Sequence, residues 1–161
     1  MTDFLTQITM PLSSITPVII PHSHRDLLLR PVHGVLSTLM PDGQPQSSLV
    51  WVDYDGLDVL INTTLERQKC QNILNNPKVS LLVVDPENTS RYIEIRGQVA
   101  EITTNRAITH ADRLTQRYTN KKYFYGDIYP VGRQYQETRV IVKIRPSKVT
   151  LDAYFNQDRS G

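Results

Sequence analysis

Arg67 and Lys69 lie in the stretch TTLERQKCQNI (63–73), where threonines, a glutamate and a run of helix formers mark the start of a helix. A helix start already carries about half a positive charge, so each cation in its first turn costs about 0.3–1 kcal/mol. Two readings follow. Thr63 caps the helix and Glu66 completes a capping box, leaving Arg67 and Lys69 as solvated surface groups. Alternatively, the free amides, the dipole and the two cations together bind a phosphate group, with Thr63 and Thr64 in the strand-to-helix turn. Cys70 follows directly. It is either a thiol whose pKa the helix start and Arg67 lower, or an inert packing residue.

Other residue types give weaker signals. Trp51, the only tryptophan, stands in an apolar run and either stacks on a flat ligand or fills the core. His22 and His24 form an H-x-H pair without a cysteine or acidic residue at metal-ligand spacing, so no metal site is expected. His33 and His110 are isolated. Tyr123, Phe124, Tyr125, Tyr129 and Tyr135 crowd the segment 119–137, which suits either a lid over a flat ligand or packing between subunits.

The elements that must position these groups are mostly strands. Residues 1–31 read as an irregular lead-in, with a short helix capped by Ser23 and ended by Arg30-Pro31. HGVLSTLM (33–40), QPQSSLVWVDY (44–54) and LDVLIN (57–62) alternate like strands, separated by the turn chemistry of Pro41-Asp42-Gly43 and Asp55-Gly56. A helix is expected over 64–75. VSLLVVD (79–85) is continuously apolar, as in a strand covered on both faces. RYIEIRGQVAEI (91–102) alternates until Gly97, where a bulge or bend is expected. A second helix covers 105–118, and TRVIVKI (138–144) and KVTLDAYF (148–155) complete the strands. The expectation is a single mainly-β domain over 1–161, with a barrel over 32–155, since closure removes exposed strand edges.

Composition narrows the partners. Lys and Arg number 18 against 16 acidic residues, interspersed, for a net charge of +2, which does not favour nucleic acid. One cysteine excludes an intramolecular disulfide and fits a reducing, cytoplasmic setting. No apolar run reaches membrane-spanning length, so no membrane association is expected.

Taken together, GVLSTLMPDGQPQSSLVWVDYDG (34–56), LINTTLERQKCQNILNNPKVSLLVVD (60–85), SRYIEIRGQVAEI (90–102) and RVIVKIRPSKV (139–149) resemble the pyridoxamine 5′-phosphate oxidase-like FMN-binding split-barrel superfamily. Within it they look most like the flavin- or deazaflavin-dependent oxidoreductase group. The resemblance implies a homodimer of six-stranded antiparallel split barrels, with a cofactor in each of two clefts at the subunit interface. It places the second strand beside the ring, with Ser47, Ser48, Val50 and Trp51 in reach. It places Asn62 and Thr63 at the ring and ribityl chain, Thr64 at the turn, Arg67 and Lys69 on the phosphate, and Tyr92 near the cofactor from a neighbouring strand. The implied activity is hydride transfer between FMN or coenzyme F420 and a small molecule, with no side-chain nucleophile. Tyr92 or a tyrosine of the loop is the candidate proton donor. A chain comparatively rich in Asn, Gln, Thr and Ile leans towards FMN. The E-x-W…R signature that holds pyridoxal phosphate in true vitamin B6 oxidases has no counterpart in LDAYFNQDRSG (151–161), so that activity is not expected. A non-catalytic flavin carrier or sensor and a heme- or tetrapyrrole-handling protein are the alternatives for the same cleft.

Overall fold

The protein is described here by a computed structural model covering residues 6–12 and 16–152. Eight strands are present among the described residues: β1 (Gln7–Thr9), β2 (Gly34–Leu39), β3 (Pro45–Val50), β4 (Val52–Tyr54), β5 (Val59–Thr64), β6 (Lys78–Val84), β7 (Tyr92–Thr103) and β8 (Arg139–Leu151). The helices are α1 (Asp26–Leu29), α2 (Gln68–Asn75) and α3 (Ala107–Thr119). The strands form one antiparallel sheet in the order β3-β2-β6-β7-β8-β5-β4, with β1 added alongside β7. β3 and β4 are its two edges, yet only Trp51 separates them in the chain. The sheet therefore curls until its edges meet at one residue, giving a split barrel.

That joint corrects the reading of 44–54 as one strand. Val50 pairs with Gly34 of β2, whereas Val52 pairs with Ile61 of β5, so the chain changes partners at Trp51. The turns follow their chemistry: Gly43 and Gly56 take positive φ of 88° and 100°, and the Asp55 carboxylate accepts from the N–H groups of Leu57 and Asp58.

Alternation builds the core. Leu36, Ile61, Leu81, Val83, Ile93, Ile95, Val140, Val142 and Ile144 point inward and are essentially inaccessible, each stabilising the fold by about 1.5–3 kcal/mol through burial. Leu27 and Leu28 of α1 and Cys70 and Ile73 of α2 join the same cluster. The expectation that 79–85 is covered on both faces does not hold. β6 alternates, with Val79, Leu81 and Val83 buried and Leu82 38% exposed, because its outer face is open in the single chain.

The second half of the barrel is more continuous than the sequence suggests. β8 runs through Arg145-Pro146-Ser147 as one strand, because Pro146 falls at the register shift opposite Gly97, where no ladder N–H is required. The bulge expected at Gly97 is present. Residues 153–155, assigned to that strand from sequence, lie outside the described residues. β1 was not expected in the lead-in; three residues are too few to carry a periodic signal. Before α1, His22–His24 form a 3-10 turn, and Arg25 rather than Ser23 occupies the N-cap, with no side-chain cap. Arg30 is extended and ends α1 before Pro31 as expected.

Candidate functional site

A cavity of about 280 Å³ opens beside the Trp51 joint. The end of β3 supplies Leu49 and Val50, β5 supplies Asn62, and Arg67 and Lys69 of the α2 start form one end. Arg139 at the start of β8 contributes from the sheet, and Phe124, Ile128 and Tyr129 cover it from the segment between α3 and β8. His33 stands at its edge. Trp51 stacks on Tyr118 at 5.1 Å between centroids and meets Phe124 edge-on at 6.3 Å. The Tyr118 hydroxyl donates to Val32 O and accepts from Val52 N–H, filling the gap left where the strand changes partners.

The cationic end departs from the capping-box expectation. Thr63 and Thr64 belong to β5, the helix starts four residues later than expected at Gln68, and Arg67 is its N-cap. The Glu66 carboxylate accepts from Thr138 N–H at 3.0 and 3.1 Å, so it serves the adjoining strand and not the helix. An arginine side chain has no acceptor to cap with, and no side-chain bond caps this end. No hydrogen bond of Gln68 N–H or Lys69 N–H occurs among the described residues. Lys69 is only 9% exposed, and neither it nor Arg67 forms an ion pair with a described residue. Burial lowers the Lys69 pKa, and the neighbouring Arg67 charge lowers it further. An ammonium buried without an acid partner among the described residues is costly unless something compensates it, and a phosphate at the open helix start would supply that compensation. The residues therefore fit a phosphorylated cofactor.

Cys70 is settled by the same burial: its thiol is pushed up to about 12, which overturns a thiolate and leaves a packing residue.

A buried polar chain holds the middle of the cavity. Asn62 Nδ2 donates to Ala107 O at 2.7 Å and meets His110 Nδ1 at 3.1 Å. His110 Nδ1 is then an acceptor, so its Nε2–H faces Asp53 Oδ2 at 3.1 Å. Arg113 and Arg117 also donate to Asp53, at 2.7 and 3.0 Å. Burial alone would raise the Asp53 pKa; the bonds from His110 and Arg117 outweigh it and hold the carboxyl well below the usual range. The remaining Asn62 oxygen accepts from Arg139 Nη1 at 3.3 Å.

Of the residues singled out from sequence, Val50, Trp51, Asn62, Arg67 and Lys69 line this cavity. Ser47, Ser48, Thr63, Thr64 and Tyr92 do not. Thr63 is turned into the barrel by strand alternation, with its hydroxyl buried and unpartnered, and Thr64 is buried at the strand end. The Ser47 hydroxyl bonds that of Ser37 at 2.8 Å on the outer face, and Ser48 is half-buried opposite Leu36. Tyr92 begins β7, paired with Val84, on a part of the sheet that does not reach this cavity within one chain. His33, Leu49, Ile128 and Arg139 went unrecognised as site residues, while Phe124 and Tyr129 were marked only as members of the aromatic segment. The aromatic crowding of 119–137 signalled the lid, but nothing marked Arg139 beyond a charge at a strand start.

A larger cavity, about 520 Å³, lies where β2 parts from β6, lined by Ser37, Lys78, Arg96, Gln98 and Ser147 among others. Its Arg96 is half-exposed and already paired with Glu94 at 3.0 Å. Chemistry rather than volume therefore favours the smaller one. Among the described residues no cluster of three or more potential metal ligands occurs, and no helix is long and apolar enough to cross a membrane.

Comparison with known proteins agrees with this fold. The structure resembles that of an F420 reductase with 34% identity and a TM-score of 0.69, covering 81% of this chain and 98% of the other. It also resembles Rv2991 from Mycobacterium tuberculosis, with 23% identity, coverage of 88% and 89% and a TM-score of 0.64. HupZ of Group A Streptococcus shares the fold at 19% identity, with coverage of 84% and 96% and a TM-score of 0.59. No curated protein matches the chain. Residues 20–151, most of the chain, match the pyridoxamine 5′-phosphate oxidase family, and the chain belongs to that family.

Proposed function

We propose that the protein is an oxidoreductase that binds a phosphorylated flavin or deazaflavin, FMN or F420, in the cavity beside Trp51 and transfers hydride to or from a small molecule. The observation that carries this is the pair of cations without acid partners among the described residues at the uncapped start of α2, one of them the buried Lys69. Arg67, Lys69 and the amides of Gln68 and Lys69 hold the phosphate. Val50 and Trp51 lie along one side of the ring, and Phe124 and Tyr129 exclude water from the other. The bound ring supplies the hydride chemistry, and the protein orients it and carries its charge. Tyr129, the tyrosine that lines the cavity, is the nearest candidate to pass a proton.

With the cations committed to the cofactor, the cavity offers no second free cation for a phosphorylated substrate. We therefore take the substrate to be an uncharged or weakly charged planar molecule rather than pyridoxamine phosphate. The volume of about 280 Å³ lies just under the usual range of about 300–1,000 Å³ for ligand sites. This supports a cleft completed by a second copy of the chain, in which Tyr92 of one subunit approaches the cofactor of the other. Similarity to an F420 reductase favours the deazaflavin, while composition favours FMN.

Parallel titrations decide. FMN and F420 are each measured against their dephosphorylated counterparts. Each charge-assisted bond to the phosphate is worth about 1.5–3 kcal/mol, so the phosphorylated form is expected to bind at least tenfold more tightly. Equal affinities would refute the phosphate site. Turnover with a reduced nicotinamide and an added acceptor separates an enzyme from a flavin carrier.

A further inference from the structure

Arg139 is a charged residue in the cavity that the phosphate does not need. Its side chain is 5% exposed. Three of its N–H groups are accounted for: Nε donates to the Tyr125 hydroxyl at 3.2 Å, Nη1 to Asn62 Oδ1 at 3.3 Å and Nη2 to Glu137 Oε1 at 2.8 Å. A guanidinium carries five N–H donors. Two, one on each terminal nitrogen, have no acceptor among the described residues, and the group lines the cavity. The orientation is over-determined. Phe124 covers one face, its ring centroid 4.3 Å from Cζ. The Asn62 amide is locked by Ala107 O and His110, so that its oxygen can only face Arg139.

Arg139 differs in kind from Arg67 and Lys69. Its charge is already met by Glu137, so a second full phosphate has little to gain there. What it offers is a pair of directed donors in a dry site, next to a carboxylate that tempers them. That suits carbonyl oxygens whose negative charge grows during reaction.

We propose that Arg139 donates its two spare N–H bonds to the carbonyl edge of the cofactor's pyrimidinedione ring, and that the Arg139–Glu137 pair sets the ring's reduction potential. This rests on the cofactor reading above; FMN and F420 share that edge. Hydride from a reduced nicotinamide brings two electrons and one proton, the nicotinamide leaves oxidised, and the ring gains one negative charge. Arg139 favours that charge and Glu137 opposes it. Asp53, His110 and Asn62 are positioning residues that aim the guanidinium.

The test compares the affinity of oxidised FMN with that of dithionite-reduced FMN, anaerobically, and the midpoint potential of the bound ring, in wild type, Arg139→Gln, Glu137→Gln and the double variant Arg67→Gln/Lys69→Gln. F420 replaces FMN if the wild type binds only the deazaflavin. Arg139→Gln is expected to shift the ratio of the two affinities about tenfold against the reduced form, equivalent to a midpoint about 30 mV lower. Glu137→Gln is expected to shift both in the opposite direction, and it carries the test alone if Arg139→Gln fails to fold. The double variant is expected to weaken both redox forms equally, because the phosphate does not change on reduction. An unchanged ratio in Glu137→Gln, or a shift of the same sign in both single variants, would overturn the role of Arg139 while leaving the phosphate site standing. A wild type that binds neither cofactor overturns both readings.

Discussion

At the residue scale, the informative groups are those whose charge the fold leaves unanswered. Lys69 is nearly buried without an acid partner among the described residues, and its lowered pKa gives a sign that can be checked. Between the folded value and the ordinary 10.5, the unfolded chain binds more protons than the folded one, so stability rises with pH through that window. The penalty is present in full below the folded value. The apo wild type should therefore gain stability relative to Lys69→Gln as pH is raised towards 10.5, read by thermal melts. Parallel melting curves would show that Lys69 is answered by something else. The double variant Arg67→Gln/Lys69→Gln should leave apo stability level or slightly higher and weaken the cofactor by about 3–6 kcal/mol, the sum of two charge-assisted bonds. An earlier melt with undiminished binding would make this helix start purely structural. Arg139 illustrates the opposite situation. Nothing local in TRVIVKI distinguishes it from a solvated strand terminus, because of its acceptors only Glu137 is near in sequence, while Tyr125 and Asn62 lie 14 and 77 residues away.

At the element scale, types were legible and boundaries were not. The strands read at 33–40 and 91–102 emerge as Gly34–Leu39 and Tyr92–Thr103, and both turns emerge as read, since alternation and glycine conformational freedom are local properties. The start of α2 moved because Glu66 found a better partner in Thr138 N–H across 72 residues, a competitor invisible to a capping motif. The Gly97 bulge is the most constrained backbone feature of the barrel. A Cβ there would fall inside the van der Waals distance of the Arg145 carbonyl oxygen and 3.0 Å from Ile144 Cγ2. Because the first obstacle is backbone held in the β7–β8 ladder, Gly97→Ala should destabilise by about 1–3 kcal/mol. Urea unfolding with unchanged slope is the measurement, and a loss under about 0.5 kcal/mol, the range of an ordinary surface substitution, would show that the bulge can slide.

At the scale of the whole molecule, the open outer face of the sheet is the remaining unsatisfied surface. Leu49, Val35 and Leu82 sit side by side on β3, β2 and β6 by register, and Leu49 and Leu82 are 70% and 38% exposed. Leu49 also lines the cavity beside Trp51, so this apolar row is continuous with the candidate site. An exposed apolar row ending at a ligand cleft is where a second copy of the chain would pack. Leu82→Arg should therefore give a monomer by light scattering at micromolar concentration, with a melt changed by no more than about 1 kcal/mol since the side chain is half-exposed, and with much weaker cofactor binding. A wild type that is monomeric with cofactor bound, or a variant that remains dimeric, would move the interface elsewhere.

By itself the sequence determined which residues alternate, where glycines permit turns, and that two cations stand at a helix start beside a single acid, Glu66. From these came the mainly-β barrel and the cationic end of the site, because each depends on neighbours within a few positions; the split form of the barrel came from the family resemblance. Only the tertiary structure decided that the chain changes strand partners at Trp51, that Cys70 is held protonated by burial, and that Asn62, His110, Asp53 and Arg139 form one chain of hydrogen bonds. Those facts depend on which groups meet across 48 to 77 residues of sequence, and on how little water reaches them.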